Sequence, residues 1–263
     1  MHFAQLITEP HNNGSLAQFS AWSNISSRIY IWLYITNYAS YPNPTPIILK
    51  LGQTIQYLAS HGVSGIFAEG SYLTSGGDMD AMKDYLVGRM LWDPGLNPDD
   101  VITEFLTGYF KAAAPYIREY LEIFQRSAAA TGCRVGVHEY WNAPHLDPRS
   151  VIEAGTTFKT AMAATTPGTL ERNSVDVAKL SVYYVAVIRW DELWGFAEGA
   201  NLTWPLEPNR TAAWTEFSRI WNETGASSAM EGNFRARRHQ EGVDEGAGPA
   251  LGSDKLPADV PVW

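Results

Sequence analysis

Two stretches decide the predicted fold: RIYIWLYITN, from Arg28 to Asn37, and VSGIFAEG, from Val63 to Gly70. The first is rich in β-branched and aromatic residues and holds no glycine or proline, which is typical of a β-strand. The second is a short apolar run that reads as a buried strand. Between them, three prolines force a turn, and apolar residues at helical spacing then lead to Gly62. The order strand, helix, strand is a βαβ unit, whose two strands must be parallel.

Alternation along the first stretch separates two kinds of side chain. Aliphatic residues share one face and aromatic or polar residues share the other: Ile29, Ile31, Leu33 and Ile35 against Tyr30, Trp32, Tyr34 and Thr36. Such a strand suits a (β/α)-barrel, in which helices cover the aliphatic face and the other face lines the interior. Parallel strands also place Asn37 and Glu69 at one carboxyl edge, where α/β enzymes build their sites.

The rest of the chain is predicted to be mainly helical. Asp78 is the expected cap of one helix, and NPDD, Asn97 to Asp100, starts another with a cap, a proline and two acids. Further helices are expected from Pro115, from Asp147-Pro148, over Ser174 to Phe196, and over Thr211 to Glu223. RVGVHEYW, Arg134 to Trp141, is predicted to be a third strand or an extended segment, and the polar start of the chain to Ser20 to be irregular.

The predicted fold class is α/β: the C-terminal part of a (β/α)-barrel with two or three parallel strands, followed by a mainly helical extension. The predicted division is a partial barrel over 1–75, the helical extension over 76–232 and a disordered tail over 233–263, where glycine, proline, alanine and charge dominate. Two or three strands cannot close a barrel. Either further strands precede Met1, or the domain is an irregular α/β layer.

Composition excludes several classes of function. The 263 residues are 45% hydrophobic, as in globular proteins, and the net charge of −9 argues against nucleic acid as a partner. The longest apolar runs, such as Val182 to Ile188, are far below the ~18 residues that span a bilayer. A single cysteine, Cys133, excludes an internal disulfide and a cysteine-rich zinc module. Nothing in the sequence indicates a metal or another cofactor, or defines the oligomeric state.

Five Asn-x-Ser/Thr sites favour a secreted or lumenal protein, although chance is the alternative explanation: Asn13, Asn24, Asn201, Asn209 and Asn222. No signal peptide is recognisable near Met1, because the first residues lack a basic region followed by a long apolar one. Either the protein is not secreted, or Met1 is not the true start.

Glu69 is the strongest candidate for a catalytic residue. It ends a predicted buried strand at the site-bearing edge, close in sequence to Phe67 and Tyr72, where a carboxyl group can act as a general acid. The alternative is a glutamate that caps the next loop or pairs with an arginine. Asn37 is expected either to hold a sugar hydroxyl or to cap its strand.

Aromatic side chains near these strands are candidates for stacking on sugar rings: Trp32, Tyr34, Tyr38 and Tyr72. A large core also uses such residues, so burial is the competing explanation. His138-Glu139 suits a metal or acid–base role less well than a structural one, because no HExxH pattern is present and His145 is isolated. Cys133 is treated as inert.

The sequence resembles the family known as domain of unknown function 4838. Three blocks carry most of the resemblance: Ile29 to Pro46, His61 to Tyr72, and Tyr85 to Leu121, the last being the most specific. A weaker block is Leu170 to Val185. Members of this family occur in proteins related to glycoside hydrolases, including endo-acting N-acetylglucosaminidases. The resemblance implies part of a (β/α)-barrel with its helical extension, and a carbohydrate or glycan as partner.

The resemblance also implies roles and one departure. It suggests that Glu69 protonates the glycosidic oxygen while the acetamido group of the substrate is the nucleophile, with Trp32 and Tyr72 stacking on sugar rings. Leu33 stands where the family has an aspartate, and alternation turns that position toward the helices. Strands that the family has upstream are not in this sequence, so the site is expected to be incomplete.

Two functions therefore compete. The leading hypothesis is a glycoside-hydrolase-like domain related to hydrolysis of N-acetylglucosamine-containing glycans. The alternative is a non-catalytic carbohydrate-binding module or an inactive pseudoenzyme fragment. The environment of Glu69 discriminates between them, since a catalytic acid opens toward a substrate whereas a structural glutamate is buried against an arginine.

Overall fold

The structure is a computed structural model that describes residues 10–231. A short 3-10 turn at Pro10–Asn12 precedes the first helix, and another at Lys111–Ala113 joins two later helices. The remaining elements of the described residues follow in chain order: α1 Asn13–Ser23, β1 Ile29–Tyr34, α2 Ile48–Ser60, β2 Val63–Glu69, α3 Asp80–Trp92, α4 Pro98–Phe110, α5 Ala114–Thr131, α6 Pro148–Ala163, α7 Leu170–Ile188, α8 Trp190–Gly199 and α9 Arg210–Glu223.

The sheet of residues 10–231 consists of β1 and β2, paired in parallel, with Trp32 beside Phe67 and Tyr34 beside Glu69. This confirms the predicted α/β class, the βαβ unit and the shared carboxyl edge. Ile31, Leu33 and Ile35 are buried, so one face of β1 packs into the core as alternation predicts. The opposite face carries exposed rings.

The helical region follows the predicted pattern with two differences. Asn97 caps α4 through its side chain, as expected, and Asp147, at the predicted start of a helix, caps α6 in the same way. Residues 134–141, which were predicted to be a third strand or an extended segment, form no strand, so the first alternative is wrong. The helix expected over Ser174 to Phe196 is two helices, because the backbone breaks at Arg189, which bonds to the carbonyls of Trp141 and Leu146.

The start of the chain was predicted to be irregular to Ser20, and from Asn13 onward this prediction is wrong; residues 1–9 lie outside the described residues. The residues Asn13–Ser23 form α1. Phe19 is buried, and its ring lies 6.4 Å from that of Tyr57 and 6.3 Å from that of His61 on the edge of α2. Burial against another element stabilises a helix whose own sequence pattern is weak.

Asp78 is not the cap of α3, as the sequence suggested. Met79 occupies the cap position and makes no side-chain cap bond. Asp78 is buried and accepts three hydrogen bonds: from the backbone N–H of Thr45 at 2.9 Å, from Tyr120 Oη at 2.6 Å and from Ser181 Oγ at 2.9 Å. Burial raises the pKa of the Asp78 carboxyl, against the opposing effects of Lys83 and these donors. One carboxylate thus joins the loop after β1 to α5 and α7.

One hydrophobic core runs from Phe19 to Ala229 and includes residues of both predicted parts, 1–75 and 76–232. The boundary between those parts stays a prediction. The expected tail, 233–263, lies outside the described residues.

Replacing Asp78 with alanine is expected to lower the free energy of unfolding by about 3–5 kcal/mol, because the three donors of Thr45, Tyr120 and Ser181 lose their acceptor and Lys83 loses a nearby negative charge. Urea unfolding followed by circular dichroism measures the loss. Asp100→Ala is the matched control, since Asp100 is exposed in the first turn of α4 and its removal costs at most about 1 kcal/mol. A loss as small as the control's in Asp78→Ala would contradict the central role of this carboxylate.

Candidate functional site

Glu69 lies at the carboxyl edge of the sheet, half-buried on the side away from the helices. Its Oε2 accepts a hydrogen bond of 2.6 Å from the indole Nε1 of Trp32. Its backbone carbonyl accepts from the N–H of Ile35 and from the hydroxyl of Tyr38. Among residues 10–231, Glu69 forms no ion pair with a lysine or arginine. The structural alternative of an arginine-paired glutamate is therefore not what the fold shows.

Aromatic rings cover the same side of the sheet, which we call the aromatic face: Tyr30, Trp32, Tyr34, Phe67 and Tyr72. Trp32, Phe67 and Tyr72 are 58%, 58% and 60% exposed, so they are not core residues. The rings of Trp32 and Phe67 meet edge to face at 4.8 Å. Tyr34 is partly buried and packs edge-on against Tyr38.

Asn37 shares the edge with Glu69 but turns inward. Its side chain is buried, donates to the carbonyl of Glu139 at 2.7 Å and accepts from the backbone N–H groups of Glu139 and Ala39. Sugar binding by Asn37 stays a prediction. The geometry gives Asn37 a positioning role, because it holds the segment around Glu139 beside the sheet edge.

Glu231 is a second carboxylate near this edge, and sequence reasoning missed it. After α9 the chain turns back, and the carbonyl of Ala229 accepts from the N–H of Tyr41 while the N–H of Glu231 donates to Tyr38. Glu231 Oε1 then accepts 2.7 Å from the hydroxyl of Tyr72. No local motif marks Glu231, since its place depends on a return of the chain over more than 150 residues.

Tyrosine hydroxyls link the two carboxylates electrostatically. The hydrogen bond to Glu231 raises the pKa of Tyr72, and the charges of Glu231 and Glu69 add to the effect. Burial, followed by the charge of Glu69, raises the pKa of Tyr38. These phenols therefore stay protonated and serve as hydrogen-bond donors beside the carboxylates.

His145 and His138, two further candidates from the sequence, lie in surroundings typical of residues with a structural role. His145 is buried and its Nε2 lies 2.9 Å from the carbonyl of Pro44; burial lowers the pKa of His145 and favours the neutral ring. Its Nδ1 lies 3.9 Å from Sγ of Cys133, a proximity that spacing in the sequence did not reveal. His138 is exposed near the ring of Tyr38.

Within residues 10–231, no group of three or more His, Cys, Asp or Glu side chains has a geometry suited to a metal ion. None of the helices in that range is both long and apolar enough to cross a bilayer.

The fold and the site thus define a mixed α/β protein with a parallel strand pair and an exposed aromatic edge. Residues 1–122 match the model of a family described as a domain of unknown function (DUF4838). The match contains β1, β2 and the whole block from Tyr85 to Leu121, whereas the weaker block from Leu170 to Val185 lies beyond it. Neither the curated proteins nor the solved structures include a match to this chain.

Glu231→Gln is expected to lower the pKa of Tyr72 toward its ordinary value, because the carboxylate that favours the protonated phenol is removed. A pH titration of the Tyr72 ring by NMR measures this. Glu223→Gln is the matched control, since Glu223 is exposed in α9 and pairs with Arg219. A Tyr72 titration that is identical in wild type and Glu231→Gln would contradict the contact.

Proposed function

We propose that the aromatic face is a carbohydrate-binding surface of a glycoside-hydrolase-like domain, and that Glu69 is its acid group. One observation carries the proposal: the Trp32 indole donates its N–H to Glu69 while its ring remains 58% exposed. A single contact therefore joins an open ring to a carboxyl group at the carboxyl edge of a parallel strand pair.

The chemistry of the face fits a sugar. A pyranose ring presents C–H groups on its faces and hydroxyl groups around its rim. Exposed Trp and Tyr rings supply apolar contact together with N–H or O–H donors, and the carboxylate of Glu69 supplies an acceptor for hydroxyl groups. Trp32 lies on β1, Phe67 on β2 and Tyr72 in the loop after β2, so the face offers contacts for more than one sugar unit.

We further propose that β1 and β2 belong to a (β/α)-barrel. The strands are parallel and joined by a helix, their aliphatic side faces the helices, and Glu69 lies at the carboxyl end. Those features are shared with barrels whose active sites lie at the carboxyl ends of the strands. In this arrangement the aromatic face lines the side of the barrel that receives substrate.

Glu69 can take part in hydrolysis as a proton donor. Trp32 orients one of its oxygens, leaving Oε1 to give a proton to the glycosidic oxygen as the bond to the anomeric carbon breaks. The acetamido oxygen of an N-acetylglucosamine unit would attack that carbon, and water would then open the resulting ring. Such substrate assistance needs no second protein carboxylate as nucleophile.

A non-catalytic carbohydrate-binding domain is the second candidate. The observation that favours it is the openness of the face: Tyr30, Trp32, Phe67 and Tyr72 all keep more than half of their surface exposed. An enclosed, water-poor site strengthens acid catalysis, whereas an open platform is sufficient for binding.

We propose a secreted or lumenal location for the protein because of its Asn-x-Ser/Thr sites. All five asparagines of the Asn-x-Ser/Thr sites are exposed: Asn13, Asn24, Asn201, Asn209 and Asn222. Glycan attachment requires such exposure. To test for glycans, the protein is produced in a secretory host and digested with an N-glycosidase, and a decrease in mass shows that glycans were attached.

Trp32→Ala is expected to weaken binding of a chito-oligosaccharide about tenfold, as expected for the loss of an aromatic contact of about 1.4 kcal/mol. Isothermal titration calorimetry of the 263-residue chain measures the affinity. Trp92→Ala is the matched control, because Trp92 is 91% exposed at the end of α3, away from the sheet. Equal affinities of Trp32→Ala and wild type would overturn the binding surface.

Glu69→Gln separates the two candidate functions. If wild type cleaves N-acetylglucosamine-containing glycans, the variant is expected to lose about 10²- to 10⁴-fold in rate while it keeps its affinity for the oligosaccharide. Mass spectrometry of released glycans measures cleavage. Full cleavage by Glu69→Gln would disprove the catalytic role, and binding without cleavage by wild type would establish the binding module instead.

A further inference from the structure

A cavity lies away from the aromatic face. It has a volume of about 310 Å³ and lies between α3, α4, α7 and the loop that precedes α3. Sites for small molecules in proteins begin at about this size. Neither Trp32, Glu69 nor Tyr72 lines it, so the cavity is independent of the proposed carbohydrate surface.

Aromatic rings form one wall of this cavity. Phe105 and Tyr109 stack with their centroids 4.9 Å apart, and Phe110 meets Tyr109 edge-on at 5.0 Å. Tyr109 is 43% exposed, which leaves the wall open to solvent at one end. Met79 and Met82, which also line the cavity, are buried and add flexible apolar surface.

Asp80 is the charged group among the described residues that line the cavity. Its carboxylate accepts from the hydroxyl of Ser71 and lies 3.5 Å from Nζ of the buried Lys83. The positive charge of the same ammonium group also lowers the pKa of Asp78 and of Asp84, against burial, which raises both. Of these three acidic residues, Asp80 is the one that lines the cavity.

The backbone around Asp80 is fixed rather than loose. Met79 is held in the left-handed region at φ 51°, a conformation that costs energy for a residue with a side chain. Gly77 lines the cavity, and a β-carbon there would collide with Asp80 and Ser71. The turn thereby directs Asp78 into the core and leaves Asp80 at the cavity.

We propose that this cavity binds a small organic cation, an amine carried on an aromatic or aliphatic body. The ammonium group would lie against Asp80 and the ring faces of Phe105 and Tyr109, which attract cations. The apolar body would fill the space beside Met79 and Met82. An anionic ligand is disfavoured by Asp80, and a neutral one supplies no opposite charge in exchange for the water that it displaces from this carboxylate.

Isothermal titration calorimetry of the 263-residue chain tests this inference. The two probes are 2-phenylethylamine and its neutral analogue 2-phenylethanol. Wild type is expected to bind the amine at least about tenfold more tightly, the ratio for one charge-assisted hydrogen bond of about 1.4 kcal/mol. Asp80→Asn is expected to abolish the preference. The control Asp100→Asn, which changes an exposed carboxylate of α4 that does not line the cavity, is expected to retain it.

Equal affinity for amine and alcohol, or binding of neither probe, would overturn the proposal, as would a retained preference in a folded Asp80→Asn protein. If that variant fails to fold, Tyr109→Leu decides, because Tyr109 is partly exposed and its replacement leaves the core intact. Loss of amine affinity in Tyr109→Leu with unchanged alcohol affinity supports the cation site, and unchanged amine affinity overturns it.

Discussion

The buried carboxylate of Asp78 is the interaction on which the rest of the structure depends. Its oxygens receive hydrogen bonds from Thr45, Tyr120 and Ser181, which come from the loop after β1, from α5 and from α7. The backbone N–H of Asp78 also donates to the carbonyl of Tyr41. A buried charge is unfavourable unless it is paired and fully hydrogen-bonded, so these elements are constrained to one arrangement around it.

This constraint reaches the candidate site through the loop that follows β1. Asn37, Tyr38 and Tyr41 belong to that loop, and the segment carrying Glu231 docks on the backbone of Tyr38 and Tyr41. The helical layer is thus the support for the edge that presents Glu69, although none of the helices supplies a residue of the aromatic face. Asp80, two residues beyond Asp78, borders the separate cavity, so one turn organises both regions.

Local patterns predicted the parts of the fold that local chemistry controls. Alternation placed Leu33 on the face toward the helices and Trp32 on the opposite face. Asn97 was predicted to be a cap and Asp147-Pro148 a helix start, because these residue types favour the first turn of a helix. Asp78 was mistaken for a cap because its partners, Tyr120 and Ser181, lie far along the chain. A buried aspartate and a capping aspartate look alike in sequence.

The site was predictable to a similar extent. The strand-end position of Glu69 follows from the sequence pattern, and Trp32 and Tyr72 are exposed, whereas the roles of all three stay proposals. Asn37 lies at the predicted edge of the sheet, but its side chain points into the protein, because the alternation of a strand does not extend into a loop. Glu231 and the cavity beside Asp80 depend on helix packing and on the returning chain, for which one sequence holds no local signal.

We propose that a sugar contacts the aromatic face beside Glu69. The indole N–H of Trp32 reports on this contact directly, because the same group donates to Glu69. A ¹H–¹⁵N NMR titration of the 263-residue chain with a chito-oligosaccharide is expected to shift the indole resonance of Trp32 and leave that of the distant, exposed Trp92 unchanged. A Trp32 resonance that stays fixed up to saturating sugar would contradict the account.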